Sequence, residues 1–88
     1  MGIAEMATTR KSIVYVSLKD GVLDPQGVTI QKALTQMGYD DFVSVRCGRF
    51  FELEISSDDA DIDRKIDEVC SKLLANPVIE EYRVESCE

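Results

Sequence analysis

The sequence has no histidine and no C-x-x-C pair, so it lacks two common means of catalysis and metal binding. Histidine is the usual general base and metal ligand near neutral pH. A zinc site would have to combine thiolates with carboxylates from distant segments, which is an unusual ligand set. The odd number of cysteines (Cys47, Cys70 and Cys87) also argues against a disulfide framework. We expect three reduced thiols and no metal bound by this chain.

Positive charge is scarce. Ten Lys and Arg residues stand against 17 Asp and Glu residues, which gives a formal net charge of −7. Affinity for nucleic acid comes largely from basic side chains that displace counterions from phosphates. Anionic membrane surfaces attract basic segments in the same way. We therefore expect neither a nucleic acid nor a membrane as partner.

Long apolar runs are missing as well. No stretch approaches the roughly 18 residues that would span a bilayer, and nothing resembles a secretory signal. A chain of 88 residues suffices for one domain, which buries only a modest share of its surface. We expect a tail at residues 1–10 and a single cytoplasmic domain at residues 11–88 that associates with itself or with partners.

The hydrophobic pattern predicts the order β-α-β-β-α-β. Alternating apolar residues mark strands at 11–18, 42–47, 49–55 and 78–85, with Gly48 at a tight hairpin turn between the middle two. Asp24 and Pro25 are typical of a helix start, and Gly38 of a helix end. A second helix is predicted at 56–74, capped by Ser57 or Asp58 and ended by Asn76 and Pro77. This order favours a ferredoxin-like α+β sandwich, a four-stranded antiparallel sheet with two helices on one face.

Four large apolar side chains should lie on the sheet face away from the helices: Tyr15, Phe42, Phe50 and Ile79. A solvated sheet face is usually more polar. The patch therefore suggests that this face pairs with another sheet, that of a second copy.

Several groups could in principle carry chemistry, and each has a simpler interpretation. Glu52 and Glu54 share a strand face, but no third group supports an acid–base pair. Acidic residues at 58–63 lack the glycine and closing glutamate of a calcium loop, and a helix N-terminus favours anions there. Cys47 has arginines beside it but no general base. Arg46 and Arg49 are either solvated turn charges or contacts with an acidic partner or a phosphate.

The topology alone leaves several classes open. An RNA-recognition domain would need exposed aromatics on a basic strand, whereas the strand at 50–54 is acidic. A metal chaperone would need C-x-x-C. A regulatory domain of the ACT type, which binds a small molecule at a dimer interface, is not excluded.

Three strings of residues resemble the PurS family, the small S subunits of phosphoribosylformylglycinamidine synthase. The first is V-Y-V-S-L-K at 14–19 followed by L-D-P-Q-G at 23–27, the second is V-R-C-G-R at 45–49, and the third is L-L-A-N-P-V-I-E at 73–80. The resemblance as a whole runs from about residue 11 to residue 85, with these strings in the family's order and spacing. Arg49 stands where the family usually has lysine, which keeps the charge but changes hydrogen-bond geometry. Cys47 replaces a more usual aliphatic residue.

The resemblance implies a role in purine biosynthesis without catalysis by the chain itself. In such complexes a glutaminase subunit releases ammonia, and a large subunit uses ATP and magnesium to add it to formylglycinamide ribonucleotide. The S subunit, a dimer or a pair of dimers, would bridge the two and assist ammonia transfer.

The resemblance also suggests roles for particular residues. Asp24, Pro25 and Gly27 should set the helix start, Gly48 the hairpin and Pro77 the helix exit. Arg46, Arg49 and Asn76 are the candidates for contact with the partner subunits. We expect reversal of both arginine charges to lower glutamine-dependent activity and to leave the fold intact.

Overall fold

A computed structural model describes residues 9–56 and 60–87 of the chain. Three strands and two helices follow one another as β1 (Thr9–Leu18), α1 (Pro25–Gln36), β2 (Gly48–Ser56), α2 (Ile62–Val69) and β3 (Glu80–Cys87). A π-helical turn, Cys70–Leu74, continues α2. Within this described part of the chain, no helix is long and apolar enough to cross a membrane.

The sheet is antiparallel, in the order β2-β1-β3. On the central strand β1, Val14 is paired with Phe51 of β2 on one side and with Val84 of β3 on the other. The alternation expected for β1 is confirmed, since Val14 and Val16 are at most 1% exposed. Because side chains on a strand alternate between faces, both valines point to the side on which α2 packs. Ile66 and Cys70 of α2 and its continuation, with Ala75, complete the core.

In the described residues, the sheet has three strands instead of the predicted four. The prediction of a hairpin around Gly48 was wrong, because Gly48 does not turn the chain. Among the described residues only Gly21 and Gly38 have the positive φ that tight hairpin turns favour. Gly48 is instead the first residue of β2, paired with Ser17. Residues 42–47 therefore lead into β2 and add no strand to this sheet.

The first helix begins and ends as predicted, but it does not lie on the sheet. Pro25 occupies its first turn, and Gly38, at φ +93°, follows its end. Only Gly27 of α1 is buried. The predicted apolar face at Ile30 and Met37 is 38% and 68% exposed. Much of the apolar stripe of α1 is thus exposed in the described part of the chain.

The other boundaries differ by a few residues. The helix predicted at 56–74 begins at Ile62, and its predicted caps, Ser57 and Asp58, lie outside the described residues. Strand β1 starts two residues before its predicted beginning, and β3 starts and ends two residues later than predicted. Of the predicted outer-face aromatics, Tyr15 and Phe50 lie opposite each other on paired strands. Phe42 precedes β2 and is not on the sheet.

Candidate functional site: the junction of α1, β2 and β3

The sequence motifs converge where α1 begins, β2 begins and β3 begins. We call this place the junction and define it by six residues: Asp24, Arg46, Cys47, Arg49, Asn76 and Glu80. It includes all three predicted partner contacts.

Asp24 is the buried acceptor of the junction, 8% exposed. Its Oδ1 accepts the backbone N–H of Gly27 at 2.9 Å, and its Oδ2 accepts that of Cys47 at 2.6 Å. The bond from Cys47, followed by that from Gly27, lowers the pKa of Asp24, against an opposing effect of burial. One carboxylate therefore caps α1 and also fixes the chain just before β2.

Gly27 is required by close approach. A Cβ on Gly27 would lie 2.2 Å from the carbonyl oxygen of Val45 and 2.9 Å from Oδ2 of Asp24. Because a backbone carbonyl cannot swing aside as a long side chain can, no larger residue fits without a shift of α1. The D-P-x-G string thus encodes a contact with residues about 20 positions away as well as a helix start.

Arg46 is used within the chain. Its Nη2 donates to the carbonyl oxygen of Leu18 at 2.7 Å and to that of Lys19 at 3.4 Å. These carbonyls lie where β1 ends and the connection to α1 begins. The guanidinium therefore holds the β1–α1 connection, and its side chain remains exposed.

Arg49 and Glu80 form a two-bond ion pair. Arg49 Nη1 and Nη2 lie 2.8 and 3.1 Å from Oε2 and Oε1 of Glu80, and Nη2 also donates to the carbonyl oxygen of Leu74 at 2.8 Å. The ion pair raises the pKa of Arg49 and lowers that of Glu80. Arg49 thus ties β2 to the end of the π-helical turn and to the start of β3.

Asn76 and Pro77 make the turn into β3. The backbone N–H of Asn76 donates to Oε1 of Glu80 at 2.7 Å, and its side-chain Oδ1 accepts the N–H of Val78 at 3.1 Å. The side-chain oxygen of Asn76, which could accept a hydrogen bond from a partner, is therefore already used within the turn. Its side chain is exposed and keeps donor capacity in its NH₂ group.

An open hollow of about 520 Å³ lies at the junction, lined by Asp24, Cys47, Arg49 and Glu80 among others. The carboxylates here are occupied by N–H donors or by Arg49. In residues 9–56 and 60–87, no three carboxylate or thiol groups gather as a metal site would need. The geometry thus suits a structural joint and shows no nucleophile with a base beside it.

Three residues outside the predicted sites also carry the architecture. Glu80 interrupts the apolar alternation of the last strand, and that irregularity is the signal that could have revealed its pairing with Arg49. Tyr82 donates its hydroxyl to Oδ1 of Asp67 at 2.5 Å, which links β3 to α2. No feature of the sequence identifies that pair, because its members are 15 residues apart. Glu52 and Glu54, which the sequence analysis set aside as an acid–base pair, are exposed on β2.

Comparisons with known proteins agree with this architecture. The family model described as PurS, phosphoribosylformylglycinamidine (FGAM) synthase, matches residues 11–88. The S subunit of that synthase from Bacillus subtilis is 54% identical over 72 residues, which are 82% of this chain and 86% of the relative. The Synechocystis S subunit is 44% identical over 70 residues, 78% of this chain and 70% of the relative.

Solved structures show the same fold. The Bacillus subtilis PurS crystal structure matches with a TM-score of 0.82 at 52% identity, over 90% of this chain and 99% of that one. A chain in the structure of PurLQS from Thermotoga maritima matches with a TM-score of 0.81 at 28% identity, over 91% of this chain and 99% of that one.

The fold and these matches together define a small α+β subunit of a biosynthetic ligase complex. The chain belongs to the PurS family of phosphoribosylformylglycinamidine synthase subunits, and its pathway is purine biosynthesis.

Proposed function

We propose that this chain is the non-catalytic adaptor of its synthase, which bridges the glutaminase and the ATP-dependent synthetase subunits and assists ammonia transfer between them. The observation that carries the proposal is the match to PurS over residues 11–88, together with the similarity to a chain of the Thermotoga maritima PurLQS structure. The reaction would convert formylglycinamide ribonucleotide, glutamine and ATP into formylglycinamidine ribonucleotide.

The chemistry of the chain supports an adaptor more than an enzyme. The sequence has no histidine, and the buried carboxylate of Asp24 is held by two backbone donors. Ammonia must be kept from bulk water because protonation removes its nucleophilicity. A protein that seals an interface needs shape and partners for this task. ATP and magnesium would bind to the large subunit, and this chain would bind neither.

Self-association is the second part of the proposal, and α1 with residues 42–47 supports it. Val43 is 85% exposed and Phe42 is 49% exposed in a segment that precedes an edge strand. The outer edge of β2 has no strand beside it in the described part of the chain. A second copy could supply a strand for that edge and a surface for the apolar stripe of α1. Cytoplasmic residence would follow from the pathway.

Reconstitution of the three subunits tests the adaptor role. The glutaminase and synthetase subunits of the same organism are assayed with and without this chain, using either glutamine or ammonium as the nitrogen source. We expect the chain to raise glutamine-dependent synthesis and to leave ammonium-dependent synthesis nearly unchanged, because only the former needs transfer between subunits. The chain alone should turn over no substrate.

Two results would oppose the proposal. One is glutamine-dependent synthesis of equal rate without the chain, and the other is turnover by the purified chain. Analytical ultracentrifugation tests self-association separately, with Val43→Asp expected to shift the free chain toward a smaller species. Heat released on titration with free amino acids would favour the ACT-like sensor instead.

A further inference from the structure

We propose that the sheet face opposite α2 docks a basic, apolar-centred segment of a catalytic subunit, and that it does not stack on a second copy of this chain. This inference rests on the adaptor role proposed above. We call this surface the outer face and define its centre as Ile13, Tyr15 and Phe50.

The centre of the outer face is apolar and aromatic. Ile13 and Tyr15 alternate with the buried Val14 on β1, and Phe50 is opposite Tyr15 on β2. The rings of Tyr15 and Phe50 lie 6.2 Å apart between centroids, and Phe50 is 60% exposed. Exposed aromatic clusters with a polar rim typically mark protein interfaces.

A small hollow lies beside the rings. It measures about 270 Å³ and is bordered by Tyr15, Gly48, Arg49 and Phe50 among others. Gly48 has no side chain to fill it. Such a hollow can receive one apolar side chain of a partner, which is how interface anchors gain most of their binding energy.

The rim of the outer face is acidic. Four exposed glutamates surround the centre in the sheet register: Glu52, Glu54, Glu81 and Glu85. Its basic residues are Lys11, opposite Glu54, and Arg83. Arg83 is already engaged, since it pairs with Glu85 and lies 4.4 Å over the ring of Tyr15. Among the described residues, no ion pair involves Glu52 or Glu81.

The charge pattern selects the partner. Two outer faces stacked on each other would bring eight glutamates together in chains that each carry a net charge of −7. Like charges across an interface oppose association, whereas lysines and arginines on a partner would be attracted to Glu52 and Glu81. The proposal differs here from the sheet-on-sheet pairing between copies that the sequence suggested, and the test below decides between the two. Copies can meet instead through α1 and the edge of β2, which leaves the outer face free.

The test compares charge reversals on and off the outer face. Glu52→Lys with Glu81→Lys changes the rim, and Asp20→Lys with Asp40→Lys makes the same change in net charge at exposed connections away from the sheet. Binding of the full-length chain to the immobilised glutaminase and synthetase subunits is measured by surface plasmon resonance. We expect the rim pair to raise Kd by about tenfold or more, and the control pair by less than about threefold.

A second variant tests the apolar centre. Phe50→Ala should also raise Kd by about tenfold, because it empties the anchor position. Neither variant should change the oligomeric state of the free chain. Raising the salt from about 50 mM to about 300 mM should weaken wild-type binding more than binding of the rim variant, since the longer-range attraction is screened.

The outcomes separate the two proposals. If the wild-type chain binds neither subunit, the adaptor role fails, and with it this inference. If the wild type binds but the rim pair behaves like the control pair, or binds more tightly, only the docking surface is overturned. Dissociation of the free oligomer by Phe50→Ala would likewise overturn it, since the outer face would then join copies of this chain.

Discussion

Arg49 and Glu80 join the second residue of β2 to the first residue of β3 near the end of the central strand, through two N–O contacts of 2.8 and 3.1 Å. The two residues are 31 positions apart and belong to the two edge strands. The third Arg49 bond, to the carbonyl oxygen of Leu74, places the end of the α2 continuation in the same joint. Arg49, which the sequence analysis expected to contact a partner subunit, therefore stabilises contacts within its own chain.

Replacing Arg49 should lower stability. Arg49→Ala removes three hydrogen bonds but leaves partly exposed groups that water can satisfy, so we expect a loss of about 1 kcal/mol in the free energy of unfolding. Urea unfolding followed by circular dichroism measures it. Arg64→Ala is the matched control, because Arg64 makes only exposed ion pairs along α2 and should cost less than about 0.5 kcal/mol. Equal costs would contradict the brace. Reversal of both arginine charges should therefore lower stability as well as glutamine-dependent activity.

Acid should destabilise the protein through Asp24 and Glu80. Both pKa values are lowered in the folded state, by backbone N–H donors to Asp24 and chiefly by Arg49 at Glu80. A carboxyl group with a lowered folded pKa stabilises the fold above its unfolded pKa, and this stabilisation is lost as the pH falls through the folded pKa. We expect stability to decline between about pH 5 and pH 2. Asp24→Asn and Glu80→Gln should each flatten this decline, as measured by urea midpoints at several pH values. Unchanged slopes in both variants would refute the assignment.

Alkali should act through Tyr82. Its hydrogen bond to Asp67 and its burial raise its pKa to about 12. The stabilisation is thus complete below the unfolded pKa of about 10 and is lost as the pH rises toward 12. Ultraviolet titration of tyrosinate should show a late component, which Tyr82→Phe removes at a cost of about 1 kcal/mol. Tyr39→Phe, at an exposed ring, is the control and should retain the late component.

A side chain at Gly48 should disrupt the start of β2. A Cβ there would lie 2.5 Å from the carbonyl oxygen of Val16, and both groups belong to paired strands that cannot easily separate. We expect Gly48→Ala to cost about 2 kcal/mol or more. Gly21→Ala is the comparison, because a Cβ at Gly21 meets nothing within 4 Å and only its φ of +88° opposes it. Thermal unfolding should place Gly48→Ala well below Gly21→Ala. The reverse order would show that β2 does not approach β1 as described.

Local signals in the sequence were sufficient for most elements and insufficient for their assembly. The alternation in β1 and the Asp24-Pro25 start of α1 predicted those elements because strand period and helix capping depend on neighbouring residues. The family strings at residues 14–27 and 73–80 likewise indicated PurS, as the family match confirms. Gly48 was misinterpreted because glycine serves equally in a turn and in a close strand approach, and only the backbone path distinguishes the two.

Composition and short strings of residues were enough to predict most of the elements, the acidic character and the family of this protein. Three further features become visible in the folded chain: the described residues form a three-stranded sheet, α1 stands away from it, and Arg49 pairs with Glu80. These depend on contacts between residues far apart in the chain, such as Asp24 with Cys47 and Arg49 with Glu80. Their energies come from distances and burial that no local pattern specifies.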